Sequence, residues 1–324
     1  MIQSIKKANL ANKRVLLRLD FNGFWRLKMV LPTIHYLLTK KVKKIIIIGH
    51  IGRPKGKISQ KFSLMRFKKC LPHGVELREN LRFDLREVKN DLSLAKELAS
   101  LADIFVNESF SVCHRKHASI VGIPNYLPSY AGLILEQEIK VLNKKFKRPI
   151  IYIIGGAKVE TKLPLAKILL KKCDHMLLGG LIANVVLENH QMEITSTKVH
   201  LPVDAVCYNK TCAVGAIEPR KILDIGPDTV ALFSDVIGQA KTIIWNGPMG
   251  MFENKKYQQG TLSIAKKVAS SNAYSIIGGG ETIFALEKLR LVSKINHISI
   301  GGGALLDYLA KNKLPGIEAL SKRS

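Results

Sequence analysis

Five apolar stretches in the second half of the chain each run straight into glycine: RPIIYIIGG, DHMLLGG, AKTIIWNG, YSIIGGG and HISIGGG. Each is strand-sized, and helical stretches separate them, the alternation that βαβ units and a mainly parallel sheet produce. In open α/β sheets ligands sit outside the carboxyl ends of the strands, so these glycines are expected to border one crevice. Glycine after a strand is also ordinary turn chemistry, and the neighbouring residues have to carry the functional argument.

The first half reads the same way. VLLRLDF (15 to 21), KIIIIGH (44 to 50) and ADIFVNESF (102 to 110) are expected strands, with helices over 31–39 and 92–102. Residues 131–147 read as a helix whose apolar positions are Leu133, Leu135, Ile139 and Leu142, and Arg148 and Pro149 follow it at the expected domain junction. A chain of 324 residues exceeds one small core and suits two α/β domains. Its apolar runs are far shorter than the roughly 18 residues of a membrane span. Residues 1–20 show no signal-peptide pattern, so the expectation is a cytoplasmic protein without a membrane partner. Five cysteines, odd in number and never in a CxxC, point to reduced thiols, not to a disulfide framework or a zinc site.

Charge is lopsided. Of the net +26, residues 1–150 carry +19, from 30 Lys+Arg against 11 Asp+Glu, and the remainder carries +7. Such a field attracts anions, either nucleic acid or an anionic metabolite. Aromatic content of 6% and the absence of a recognised nucleic-acid-binding motif disfavour the former. Lysine runs such as Lys40, Lys41, Lys43 and Lys44, and Lys144, Lys145 and Lys147, read as ordinary solvated helix faces or turns.

The motifs are more specific. WNGPMGMFE (245 to 253) turns out of a strand with Gly247 and Gly250 permitting close backbone approach, Pro248 stiffening the bend, and Glu253 able to accept from ribose hydroxyls. GGAKVETK places Lys158 and Lys162 four residues apart, where two ammonium groups can contact one polyphosphate near a helix N-terminus. Gly279, Gly280, Glu281 and Thr282 offer backbone N–H groups, a carboxylate for Mg²⁺ and a hydroxyl for phosphate. No GxxxxGK[ST] is present, which excludes a P-loop. In the first half, Asp20 and Asn22 close one strand, His50 and Arg53 follow another, and Arg82 and Arg115 lie in ENLRFD and CHRKHAS. Several arginine forks at strand ends suit a small multiply charged acid. His50, His114 and His117 lack metal-ligand spacing and read as structural.

Nine ordered segments carry a resemblance along nearly the whole chain: RLDFN, GHIGRPKGK, ENLRFD, DIFVNESFSVCHRKHASIVGIP, GGAKVETK, DIGPDTVALF, WNGPMGMFE, GGGET and HISIGGGALLDYLAKNKLPGIEAL. This pattern resembles phosphoglycerate kinase. The resemblance implies two Rossmann-like α/β domains joined by a helix: a basic 3-phosphoglycerate domain over 1–130, the helix 131–147, a nucleotide domain over 148–313, and a segment 314–324 returning to the first. It implies reversible phosphoryl transfer between 1,3-bisphosphoglycerate and ADP, with Mg²⁺ on the nucleotide, by a monomer. Asp20, Asn22, Arg26, His50, Arg53, Arg82 and Arg115 resemble the acid site; Lys162, Asn246, Glu253, Gly279, Gly280, Glu281 and Thr282 resemble the nucleotide site, with Glu281 at the metal position. Lys158 and Arg26 match the residues that act on the transferring phosphoryl group. The chain departs from the family pattern in lacking the hairpin between Asn22 and Arg26, in the short stretches 54–77 and 185–223, and at Leu181, Glu281 and Leu305. A fold descendant that binds anions with impaired catalysis is the alternative, and a nucleic-acid-binding protein the more distant one.

Overall fold

The computed structural model describes residues 2–188, 196–208, 210–218 and 221–321. They form two compact units: residues up to Asn143 together with those from Lys311 onward, and Lys144–Ala310. No described helix is long and apolar enough to cross a membrane.

The first unit is built on β1 (Arg14–Asp20), α1 (Phe24–Thr39), β2 (Lys44–His50), β3 (Val75–Leu77), α2 (Leu85–Lys89), α3 (Leu92–Ser100), β4 (Ile104–Asn107), β5 (Ser129–Ala131) and α4 (Leu133–Leu142). Its five strands are all parallel, in the order β3-β2-β1-β4-β5. Unbroken runs such as Ile45–Ile48 are buried, as a sheet covered on both faces requires. Leu27, Val30, Ile34 and Leu37 form one stripe of α1 and pack into the cluster around Leu17, Ile45 and Val106.

Three expected elements have different bounds. The helix expected over 31–39 begins at Phe24, because Gly23, at φ 111°, turns the chain out of β1 directly into the helix. The strand expected over 102–110 ends at Asn107, whose Oδ1 accepts from the Ser109 N–H at 2.9 Å and bends the chain away. The helix expected over 131–147 is Leu133–Leu142, and the segment from Lys144 belongs to the second unit.

Glu108 is buried just beyond β4 and accepts from the Ile134 and Leu135 N–H groups at 3.0 and 2.7 Å, so that it caps α4. Burial outweighs these bonds and pushes its carboxyl up to about 7. A carboxyl raised in the folded state binds more protons folded than unfolded. Its stabilising contribution is therefore complete below the unfolded value and is lost as pH rises through about 7. Stability is expected to decline between pH 5 and 8 by a component on the order of 3 kcal/mol. Urea titrations of Glu108→Gln should lack that component; an unchanged pH slope would count against it. Asp224, likewise raised to about 7 by burial, leaves a residual slope of the same sign.

The second unit comprises β6 (Ile150–Ile154), α5 (Val159–Leu170), β7 (His175–Leu178), α6 (Gly180–Glu188), β8 (Val199–His200), β9 (Asp204–Cys207), β10 (Lys210–Ala213), β11 (Asp224–Ile225), α7 (Pro227–Gly238), β12 (Thr242–Asn246), α8 (Gln259–Ser270), β13 (Tyr274–Gly278), α9 (Gly280–Lys288), β14 (His297–Ser299) and α10 (Gly303–Lys311). The sheet runs β14-β13-β12-β6-β7-β8, parallel throughout, so the five glycine-tipped strands are contiguous neighbours. The short 185–223 stretch supplies β9 and β10, which with the following β11 form a small antiparallel sheet, β10-β9-β11, and residues 189–195, 209 and 219–220 within the stretch lie outside the described residues. The last helix, α11 (Pro315–Ser321), packs in the first unit, where the Gly316 N–H donates to Cys113 O at 2.8 Å; residues 322–324 of the expected returning segment also lie outside the description.

Candidate functional site

In the first unit the cluster forms at the carboxyl ends of β1 and β2, paired so that Asp20 lies beside His50. Arg26 stands in the first turn of α1, and its Nη1 reaches back to Asp20 Oδ2 at 3.0 Å. The missing hairpin therefore does not remove Arg26 from the cluster, because the Gly23 turn delivers it there. Asp20 also accepts from Ser111 Oγ and from the Asn22 amide N–H at 2.9 Å. Burial opposes its charge, yet His50, Arg26 and these donors hold its carboxyl below the usual carboxylate range. Asn22 Oδ1 accepts from the Gly52 N–H at 2.8 Å, which ties the β1 loop to the β2 loop.

His50 is buried with its Nδ1 3.1 Å from Arg18 Nη2. Its Nε2 lies 3.1 Å from Asn22 Nδ2, so donor groups face both ring nitrogens. Burial, with the charges of Arg18 and Arg82, pushes the imidazole well below its usual range against the pull of Asp20. Arg82 Nη1 donates to Gly52 O at 2.6 Å, and burial beside Arg18 and Arg115 lowers it to about 10. Arg115 is half-buried and is lowered first by burial and then by Arg53, which is itself exposed. Among the described residues neither Arg53 nor Arg115 has a carboxylate partner, so this corner presents uncompensated positive charge.

The buried support beneath this cluster was not singled out from the sequence. Arg18 is wholly buried; its Nε donates to Ser119 Oγ at 2.9 Å, and Nη2 lies 3.7 Å from Glu87 Oε1. Glu87 accepts from the Ser119 amide and hydroxyl at 2.9 and 2.7 Å and lies 3.6 Å from His117 Nδ1. Arg18 is inside RLDFN, but its partners Glu87 and Ser119 are 69 and 101 positions away, and no local pattern announces them.

In the second unit a cavity of about 410 Å³ opens at the glycine-tipped strand ends, lined by Gly156, Gly180, Pro248 and Gly250 on the backbone side. Leu181, Ile222, Leu223, Met249 and Met251 give it an apolar wall, and Glu253 and Glu281 border it. Lys162, behind the strand tips and not itself in the lining, is buried and donates to Gly155 O at 2.8 Å and Asn246 O at 3.2 Å. One of its three N–H donors remains for a ligand. Burial, then the charge of Lys158, lowers it to about 8.

Lys158 does not share a helix face with Lys162. It caps α5, with an exposed side chain, while Lys162 points inward; the two ammonium groups thus occupy different surroundings. Thr282 Oγ1 is buried and accepts from the Gly247 N–H at 2.9 Å, which leaves its hydroxyl proton for another acceptor. The Asn246 side chain is turned inward, with Nδ2 donating to Gly302 O at 2.9 Å. Gly279, at φ 101°, leads into α9, and Gly280 has open space where a side chain would stand. Glu281 is raised by partial burial and by the adjoining Glu253 carboxylate. Leu305 does not enter the cavity. It is fully buried, and its methyl lies 2.7 Å from where a Cβ on Gly278 would be. Leu181 lines the cavity and is 44% exposed. Ile222, Leu223 and Asn184 were not expected in the lining, since they come from the divergent 185–223 stretch and its edges.

Two α/β units, one with a cationic cluster and one with a glycine-lined cavity and buried lysine, define a phosphotransferase as the class. The phosphoglycerate kinase family model matches residues 5–77, 68–199 and 192–312. The phosphoglycerate kinase of Moorella thermoacetica is 36% identical over 390 aligned positions, covering 99% of each chain, and that of Helicobacter pylori is 37% identical over 391, covering 99% of this chain and 97% of the relative. Among solved structures, phosphoglycerate kinase from Coxiella burnetii superposes with a TM-score of 0.81 at 33% identity over 100% of both chains. That from Pyrococcus horikoshii gives 0.87 at 29% identity, covering 99% and 98%. The chain belongs to the phosphoglycerate kinase family. An alignment of 390 positions for 324 residues locates its compactness in gaps within an otherwise complete match.

Gly247, next to the cavity-lining Pro248, is tightly constrained. At φ 101°, an added Cβ would lie 2.3 Å from Gly155 O and 2.5 Å from Lys162 Nζ. Gly247→Ala should destabilise the chain by roughly 1–3 kcal/mol in urea and weaken adenine-nucleotide binding; wild-type behaviour in both would contradict the geometry.

Proposed function

We propose that this chain catalyses reversible phosphoryl transfer between 1,3-bisphosphoglycerate and ADP, giving 3-phosphoglycerate and ATP. The observation that carries the reading is the retention of both clusters, one in each unit, in a chain that matches its relatives from end to end.

The acid is assigned to the first unit. Arg53 and Arg115, like charges without carboxylate partners, suit its phosphate, since an anion would relieve their repulsion. His50, Asn22, Arg82 and the Asp20–Arg26 pair complete the binding set, with Asp20 fixing the orientation of Arg26. The nucleotide is assigned to the second unit, its base against Leu181, Ile222, Leu223 and Met251 and its ribose by Glu253. Leu181 supplies a methyl contact that a glycine could not. Lys162, Asn246, Gly279, Gly280 and Thr282 form the phosphate end. Glu281 with Glu253 suits a divalent cation carried by the nucleotide, since two adjoining carboxylates that raise one another gain from a shared counter-charge. Mg²⁺ bound there supplies neutralisation of phosphate charge. Glu281 retains the negative charge of the family's aspartate with one further methylene of reach.

The 3-phosphoglycerate carboxylate is ionised near neutral pH and needs no general base to attack the terminal phosphate of ATP. Hydrogen-bonding cations are what the reaction requires. Exposed Lys158, beside the α5 N-terminus, and Arg26 are assigned to the charge on the transferring phosphoryl group. Following the family, the enzyme is assigned to the cytoplasm as a monomer.

A coupled assay of ATP formation from 1,3-bisphosphoglycerate and ADP tests the proposal. Turnover is expected, and Lys158→Ala should lower kcat at least about 100-fold with an unchanged melting temperature. Folded protein without turnover would sink the proposal in favour of an anion-binding descendant.

A further inference from the structure

A second cavity of about 410 Å³ lies at the amino ends of β12 and β13, beside the chain that leads into β6. It is therefore at the opposite edge of the sheet from the glycine tips, one strand length or roughly 17 Å away. Lys144, Lys145, Lys147 and Lys241 line it, with Asn272 and Tyr274. Three separate chain segments bring these groups to one concavity, and among the described residues no carboxylate lines it. Among the described residues none of the four lysines is ion-paired, and the nearby Asp174 is engaged by Arg148 at 2.6 Å.

The rim is fixed by its backbone. Thr242 Oγ1 donates to Lys147 O at 2.8 Å, the Lys241 and Thr242 N–H groups donate to Pro149 O at 2.9 and 3.1 Å, and the Tyr274 N–H donates to Lys241 O at 2.9 Å. Lys144 Nζ stands 5.1 Å above the Tyr274 ring and 3.5 Å from its hydroxyl, so this ammonium is held in place before any ligand arrives. A solvated lysine face spreads its charges over convex surface. Here four exposed lysines line one concavity together with Phe146, Thr242, Asn272 and Tyr274, and a concave surface of one charge sign focuses the positive potential.

We propose that this cavity binds a compact, multiply charged phosphate-bearing anion at a site separate from both substrate sites. Its volume falls in the small-molecule range, and its lysines line one hollow where nucleic acid would need a row along a groove.

The test is calorimetric titration of the full chain with inorganic tripolyphosphate, in the presence of saturating ADP and 3-phosphoglycerate at physiological salt. One equivalent should bind. The surface double variant Lys145→Glu/Lys241→Glu should weaken that binding at least tenfold while leaving the melting temperature and phosphoryl-transfer rate unchanged. Absence of binding, or equal binding by the variant, would overturn the proposal. A single-stranded RNA that binds at least tenfold more tightly than tripolyphosphate, and loses that binding in the variant, would overturn it in favour of a nucleic-acid surface.

Discussion

The Lys162 ammonium ties together the carboxyl ends of the two central strands of the second unit. It bonds Gly155 O after β6 and Asn246 O at the end of β12, so the two strand tips and the ammonium are one hydrogen-bonded object. The glycines around it follow from that arrangement: backbone meets backbone and ammonium at distances that leave no room for a methyl group. Burying a cation there is costly unless polar atoms surround it. Two carbonyls meet most of that need, and the rest is left for an anionic ligand. Structure and binding therefore draw on the same few atoms.

The first unit solves a related problem differently. Arg18 carries a full charge through the base of the acid cluster, and Glu87, Ser119 and His50 surround it. Removing one member of a buried pair typically costs about 3–5 kcal/mol, since the other charge is stranded. Burial, with the charges of Arg18 and Arg82, lowers His50, and burial beside Arg18 and Arg115 lowers Arg82. The positive corner is thereby stored in the fold and is available to an anion without rearrangement.

Much of this was legible from the chain. Apolar runs ending in glycine located five contiguous parallel strands, and short motifs brought Asp20, Asn22 and His50 to one sheet edge and Lys162, Asn246 and Glu281 to another. What was not legible depends on long-range geometry. The start of α1 was hidden because Phe24 and Trp25 are weak helix formers and the decisive signal is the backbone angle of Gly23. The Arg18–Glu87–Ser119 network joins positions far apart in sequence. Leu305 reads as a change near a ligand, yet only packing shows that it covers Gly278 and stays out of the cavity.

The central claim is that the two units divide the substrates, acid on the first and nucleotide on the second. Amide-resolved NMR titration of the full chain, with ADP and 3-phosphoglycerate added separately, tests it most directly. ADP should perturb Gly156, Gly180, Gly250 and Gly280, and 3-phosphoglycerate should perturb Asn22, Gly52, Arg82 and Arg115. Perturbation of the same set by both ligands, or of neither set by its assigned ligand, would contradict the account.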